Sequence, residues 1–114
     1  MNLWDSIIKS LDLTLLTSLK TLKNNVRGAY CGDLLSDVLA NASSGDLWIT
    51  IHRHRSVIAV ASLLNIGGVI ITGSRRPDRD ALIDAEKEGL PLFSTPLNNF
   101  QASGRLYKIF SEHD

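Results

Sequence analysis

The side chains whose types and spacing could do chemistry fall into three short stretches, His52-Arg53-His54-Arg55-Ser56, Gly73-Ser74-Arg75-Arg76 and Ser94-Thr95, with Thr50 just ahead of the first. Arginine presents a planar fork of donors that matches phosphate and carboxylate oxygens two at a time, and hydroxyls add orienting hydrogen bonds. Such a set suits binding of a small anion or nucleotide. The candidate ligand-binding residues are Thr50, His52, His54, Gly73, Ser74, Arg75, Arg76, Ser94 and Thr95. The competing reading is that these are solvated loops whose polar groups cap helices.

Other chemistries find less support. His52 and His54 lie two apart, so an extended segment would point both to one side. A third metal ligand is not evident, because His113 belongs to the tail, and no metal or cofactor is expected. Cys31 is the only cysteine, which excludes an intrachain disulfide and a thiolate cluster, and it has no local base to make it reactive. Asp33 and Asp37 are expected to cap and solvate a helix. Neither a nucleophile turn, nor a tuned carboxylate pair, nor a phosphate-loop or dinucleotide glycine pattern is present. No catalytic residue is assigned, and the chain is not expected to be a self-contained enzyme.

For the three stretches to meet, the elements between them must place them on one edge. Leu3, Trp4, Ile7, Ile8 and Leu11 recur at helical spacing, predicting a helix over 2–10, followed by a strand over 13–16. Lys20–Arg27, ending at Gly28, reads as a turn or irregular edge element. A helix follows Gly32, with Asp33 as N-cap and Leu34, Leu35, Val38 and Ala42 on one face. Residues 47–51 form the clearest strand. The apolar run 57–64 predicts a helix buried between layers, ended by Gly67-Gly68, and 69–72 predicts a strand. Pro77-Asp78 open a charged helix that Gly89 closes, residues 92–94 form a strand, and Thr95-Pro96 start a last helix. That helix carries Phe100, Ser103, Leu106, Tyr107 and Phe110 along one stripe.

Helices alternating with continuous apolar strands predict an α/β fold. It has three layers, with a mostly parallel sheet of about four to five strands and helices on both faces. Ligands in such sheets bind beyond the carboxyl ends of the strands, where the three stretches fall, with free backbone N–H groups behind them. Residues 1–114 read as one domain, with an N-terminal helix and strand over 1–24, a core over 25–110 and a tail over 111–114. At 114 residues the chain can bury a sizeable core.

Twelve basic residues balance twelve acidic ones, which argues against a nucleic-acid backbone as partner. The N-terminus lacks the features of a signal peptide and no apolar run could span a bilayer, so a cytoplasmic protein away from membranes is expected.

The run from Gly28 to Ala42 (GAYCGDLLSDVLANA) and on through Gly45 to Ile51 (GDLWITI) resembles the DRTGG domain family. Later pieces agree: His54 ahead of Val57-Ile58-Ala59-Val60-Ala61, Gly68 to Ile71, Pro77-Asp78, Gly89 to Leu92 with Ser94-Thr95, and Gly104 to Tyr107. Where the naming segment would stand, this chain has Asn25-Val26-Arg27-Gly28-Ala29, of which only Gly28 matches. The resemblance implies a fold like the N-terminal domain of HPr kinase/phosphorylase. It also implies a regulatory, accessory or dimer-forming role, as for similar modules in phosphotransacetylases and in pyrophosphatases that contain CBS domains.

Two functions follow as expectations. The first is a non-catalytic regulatory, ligand-sensing domain with the anion site above, expected as a homodimer. The alternative is a structural adaptor that docks on a partner complex such as a hydrogenase or NADH-dehydrogenase-like system, which the resemblance suggests. Trp4, Ile7 and Ile8 would supply that docking face, unless they pack on their own sheet.

Overall fold

A computed structural model describes residues 2–23 and 26–112. The elements run α1 (Leu3–Ser10), β1 (Thr14–Leu15), a 3₁₀ turn (Leu19–Thr21), β2 (Gly28–Cys31), α2 (Leu35–Asn41), β3 (Asp46–Thr50), α3 (Arg55–Leu64), β4 (Gly68–Ile71), α4 (Arg79–Glu88), β5 (Leu92–Ser94) and α5 (Asn99–Glu112). The strands form one sheet in the order β1-β5-β4-β3-β2. All pairings are parallel except that of β1 with β5, in which Thr14 faces Ser94 and Leu15 faces Phe93.

Alternation along the strands divides the core in two. Trp48, Val69, Ile71 and Leu92 point to one face, where they meet Val38 of α2, Val57, Ile58 and Ala61 of α3, and Ala81 and Ala85 of α4. Leu47, Ile49, Ile70 and Phe93 point to the other, against Ile7 and Leu11 of the N-terminal segment and Ala102, Leu106 and Ile109 of α5. The predicted three-layer α/β architecture is therefore present, with helices on both faces of a mostly parallel sheet. Because β2 to β5 are laid down side by side, a uniform crossover hand places α2, α3 and α4 together. Only after β5 does the chain change face. That change opens a crevice between the loops following β4 and β5.

Local details differ from the sequence reading. Gly28–Cys31 is a strand, not the end of an irregular segment, held by β3 alone through pairs such as Tyr30 with Trp48. It lacks the β-branched run that marks β3. Leu34, not Asp33, occupies the N-cap of α2, with no side-chain cap bond, and Leu34 is itself exposed. Thr95-Pro96 do not begin the last helix, because the Thr95 N–H still donates to Ile71 O at 3.0 Å as part of the sheet. The start lies three residues later. There Asn98 Oδ1 accepts from the Gln101 N–H at 2.8 Å and Gln101 Oε1 from the Asn98 N–H at 3.0 Å, a reciprocal capping box.

Helix α3 is amphipathic rather than buried all round. It lies in an outer layer, so Val57, Ile58 and Ala61 face the sheet while Leu63 is 76% exposed. Asn65, with φ 56°, ends it in place of Gly67-Gly68. Gly67 is needed for a different reason: a Cβ there would stand 2.9 Å from the Gly45 carbonyl oxygen. Along α5 the buried stripe is Ala102, Leu106 and Ile109, and the expected stripe residues Phe100 and Tyr107 are exposed.

The N-terminal helix is not a free docking face. Ile7 is fully buried, and the Trp4 ring lies 5.6 Å from that of Phe93 while its Nε1 donates to Lys23 O at 2.8 Å. Among the described residues no helix is long and apolar enough to cross a membrane.

Candidate functional site at the carboxyl edge of the sheet

The carboxyl ends of β2, β3 and β4 are joined by a polar network centred on Asp33. Its Oδ1 accepts from the Thr50 hydroxyl and the Ile51 N–H, both at 2.8 Å, and its Oδ2 from the Asn99 amide at 3.2 Å. Asn99 Oδ1 in turn accepts from the Thr72 hydroxyl at 2.5 Å. The His52 ring bonds the Asp33 main-chain carbonyl. Thr50 and His52 are thereby committed inward, and Thr50 is fully buried.

The loops after β4 and β5 are sewn together. Gly73 N–H donates to Leu97 O at 2.8 Å and Ser74 N–H to Thr95 O at 2.9 Å. Both residues adopt left-handed backbone, with φ 71° and 58°, which glycine does freely and serine less readily. These bonds correct the expectation of free backbone donors along the edge. The Thr95 hydroxyl is used as well, donating to Leu11 O at 2.6 Å.

A second tie joins the loops after β3 and β4. His54 Nδ1 meets Asp78 Oδ2 at 2.5 Å, Asp78 N–H donates to Arg53 O at 2.9 Å, and Arg53 reaches Arg76 O at 3.2 Å. The hydrogen bond from His54 holds the Asp78 carboxyl below its ordinary value, against a smaller desolvation effect. Arg55 leaves the edge altogether. It grips Asp84 on α4 at 3.0 and 3.1 Å and approaches Asp80 at 3.6 Å.

What remains open is a groove of about 570 Å³ in the crevice between α4 and the β1–β5 pair. Ser74, Arg75, Arg76, Ser94 and Thr95 line it, together with Thr14, Leu16, Pro77, Leu82 and Pro96. No carboxylate contributes. Arg75 is partly restrained by a bond to Thr72 O at 3.1 Å, whereas the exposed Arg76 side chain makes no ion pair among the described residues. Five of the nine candidate residues thus gather in one place. Thr50, His52, His54 and Gly73 do not line it, although Gly73 shapes the turn that carries Ser74 and Arg75.

His52 and His54 turn to different partners, Asp33 and Asp78, and do not converge as a metal pair. Among the described residues no three His, Cys, Asp or Glu side chains cluster as a metal site. His113 and Asn25 lie outside the described residues. Cys31 is exposed on β2.

A second concavity, about 340 Å³, lies at the opposite edge and includes Lys23, Arg27, Ser62, Asn65 and Glu88. Helices α3 and α4 end there, so their negative dipole ends and Glu88 already offset the two cations. An anion is better served at the carboxyl edge.

Sequence reasoning missed Asp33 as a hub, together with Thr72 and Asn99. A threonine closing or following β3, β4 and β5 (Thr50, Thr72, Thr95) was the available sign of a polar layer at that edge.

No curated protein matches the chain. Its fold is similar to that in the crystal structure of the CBS and DRTGG domains of the regulatory region of Clostridium perfringens pyrophosphatase, complexed with the activator diadenosine tetraphosphate. The TM-score is 0.70 and the identity 23%, over 93% of this chain and 45% of that one. The DRTGG domain family model matches residues 6–109, nearly the whole length, and the chain belongs to the DRTGG domain family.

Proposed function

We propose that this domain is a non-catalytic regulatory module that senses a small phosphate-bearing ligand, of the nucleotide class, in the groove at the carboxyl edge. The observation carrying this reading is the composition of the groove: Arg75 and Arg76 with Ser74, Ser94 and Thr14, apolar walls from Leu16, Pro77 and Leu82, and no acidic group. Guanidinium and hydroxyl donors suit phosphate oxygens, and the apolar walls suit a flat ring. The related pyrophosphatase region was solved with a nucleotide activator, which supports a regulatory context for such domains.

A thermal-shift titration with adenine and guanine nucleotides, compared with the nucleosides, tests the reading. A saturable rise with the nucleotide alone is expected. The Arg75→Ala/Arg76→Ala double variant should stay folded and lose that rise. Full retention of the shift in the double variant would remove the groove as the site.

A further inference from the structure

We infer that the concavity of about 340 Å³ at the amino edge of the sheet binds a small zwitterion, a free α-amino acid, with its carboxylate at Lys23 and Arg27 and its ammonium at Glu88. This site lies at the edge opposite the nucleotide groove, and the inference does not depend on that reading. The volume falls within the range of about 300–1,000 Å³ over which small-molecule pockets occur. Buried Ala61, Ile66 and Leu90 supply an apolar wall for the ligand's side chain.

Main-chain bonds fix the frame on which the charged side chains stand. Arg27 N–H donates to Gly45 O at 3.0 Å, Gly45 N–H to Asn65 O at 3.0 Å, and Gly67 N–H to Asp46 O at 2.8 Å. Lys23 is anchored through its carbonyl, which accepts from Trp4 Nε1 at 2.8 Å. The Asn65 amide donates to the Ser44 hydroxyl at 3.2 Å and so ties the end of α3 to the turn before β3.

The charges on this frame do not compensate one another by contact. Among the described residues Lys23, Arg27 and Glu88 make no ion pair. Glu88 Oε2 accepts from the Ser62 hydroxyl at 3.3 Å, which orients the carboxylate across the ends of α3 and α4. Lys23 Nζ lies 3.9 Å from where a Cβ on Gly89, the next residue, would stand. An unpaired ammonium beside an unpaired carboxylate matches the short separation of opposite charges in an α-amino acid. Two cations here face one carboxylate and two helix carboxyl ends, each equivalent to about half a negative charge. The site is therefore close to neutral but dipolar. A simple anion is repelled by Glu88 and the helix ends, and a simple cation by Lys23 and Arg27. A molecule that carries both charges satisfies both halves.

Titration of the isotope-labelled full chain with each L-amino acid, followed by amide NMR shifts, tests this. An amino acid with an apolar side chain is expected to move the Gly45, Asn65, Gly67 and Gly89 amides saturably and to leave those of Ser74 and Arg76 in place. Its N-acetyl form lacks the ammonium and its amide form lacks the carboxylate, so each should bind at least about tenfold more weakly. Arg27→Gln and Glu88→Gln should each raise the dissociation constant by a similar factor. Both side chains are exposed, so circular dichroism should be unchanged. Lys108→Gln, which removes an exposed cation on α5, should bind as wild type. Three outcomes would overturn the inference: no saturable shift at these amides with any amino acid up to about 10 mM, an N-acetyl or amide form that binds as tightly as the free one, or full affinity in both charge variants.

Discussion

Asp33 and Asn99 stand 66 residues apart in the chain and meet at 3.2 Å, where the Asn99 amide donates to the Asp33 carboxylate. This contact links the loop before α2 to the first turn of α5 at the carboxyl edge of the sheet. The network it belongs to holds the carboxyl ends of β2, β3 and β4 in register beside the groove.

Removing the hub should therefore be costly. Asp33→Ala leaves the buried Thr50 hydroxyl and the Ile51 N–H without their acceptor, each bonded at 2.8 Å. A loss of about 1–3 kcal/mol is expected from unsatisfied groups of this kind. Urea denaturation reads it directly, and an unchanged midpoint would mean that water replaces the carboxylate.

Gly67→Ala should destabilise through backbone crowding. The added methyl would sit 2.9 Å from the Gly45 carbonyl oxygen, and that oxygen cannot swing aside as a side chain can. Overpacking of this sort costs roughly 1–3 kcal/mol. Thermal unfolding should show a lower midpoint, and a wild-type midpoint would place the turn elsewhere.

The turn carrying Arg75 is open to a more local test. At Gly73, φ 71° and the Arg75 guanidinium lies where a Cβ would go. Gly73→Ala is expected to cost about 1 kcal/mol for the left-handed backbone and to displace Arg75 from Thr72 O. Weaker nucleotide binding with a small loss of stability would follow. Binding equal to wild type would show that Arg76 alone suffices.

Acid should weaken the tie between the loops after β3 and β4. The Asp78 carboxyl is lowered from 3.8, chiefly by the His54 hydrogen bond. Its folded form therefore favours the charged state more than the unfolded chain does. That contribution is complete above the unfolded value and is lost as pH falls through the lowered folded one. In His54→Ala the Asp78 titration, followed by NMR, should move back up towards 3.8. The stability gap between wild type and variant should narrow as pH drops below that value, and a gap independent of pH would argue against the pairing.

The local sequence determined which residues make most of the helices and the central strands, and that helices cover both faces of the sheet. Period and caps are short-range signals: the run from Leu47 to Thr50, the Asp78 start and Gly89 stop of α4, and the continuous apolar strands all reflect the chain within a few residues. The carboxyl-edge placement of Ser74, Arg75, Arg76, Ser94 and Thr95 followed from that alternation. Tertiary structure alone decided the rest. Gly28–Cys31 becomes a strand because β3 offers it partners, and Asp33 abandons its cap because Thr50, Ile51 and Asn99 offer better ones. Phe100 and Tyr107 face outward because Ala102, Leu106 and Ile109 fill the space above the sheet. Each of these outcomes depends on groups far away in sequence, whose free-energy contribution exists only once the chain has brought them together.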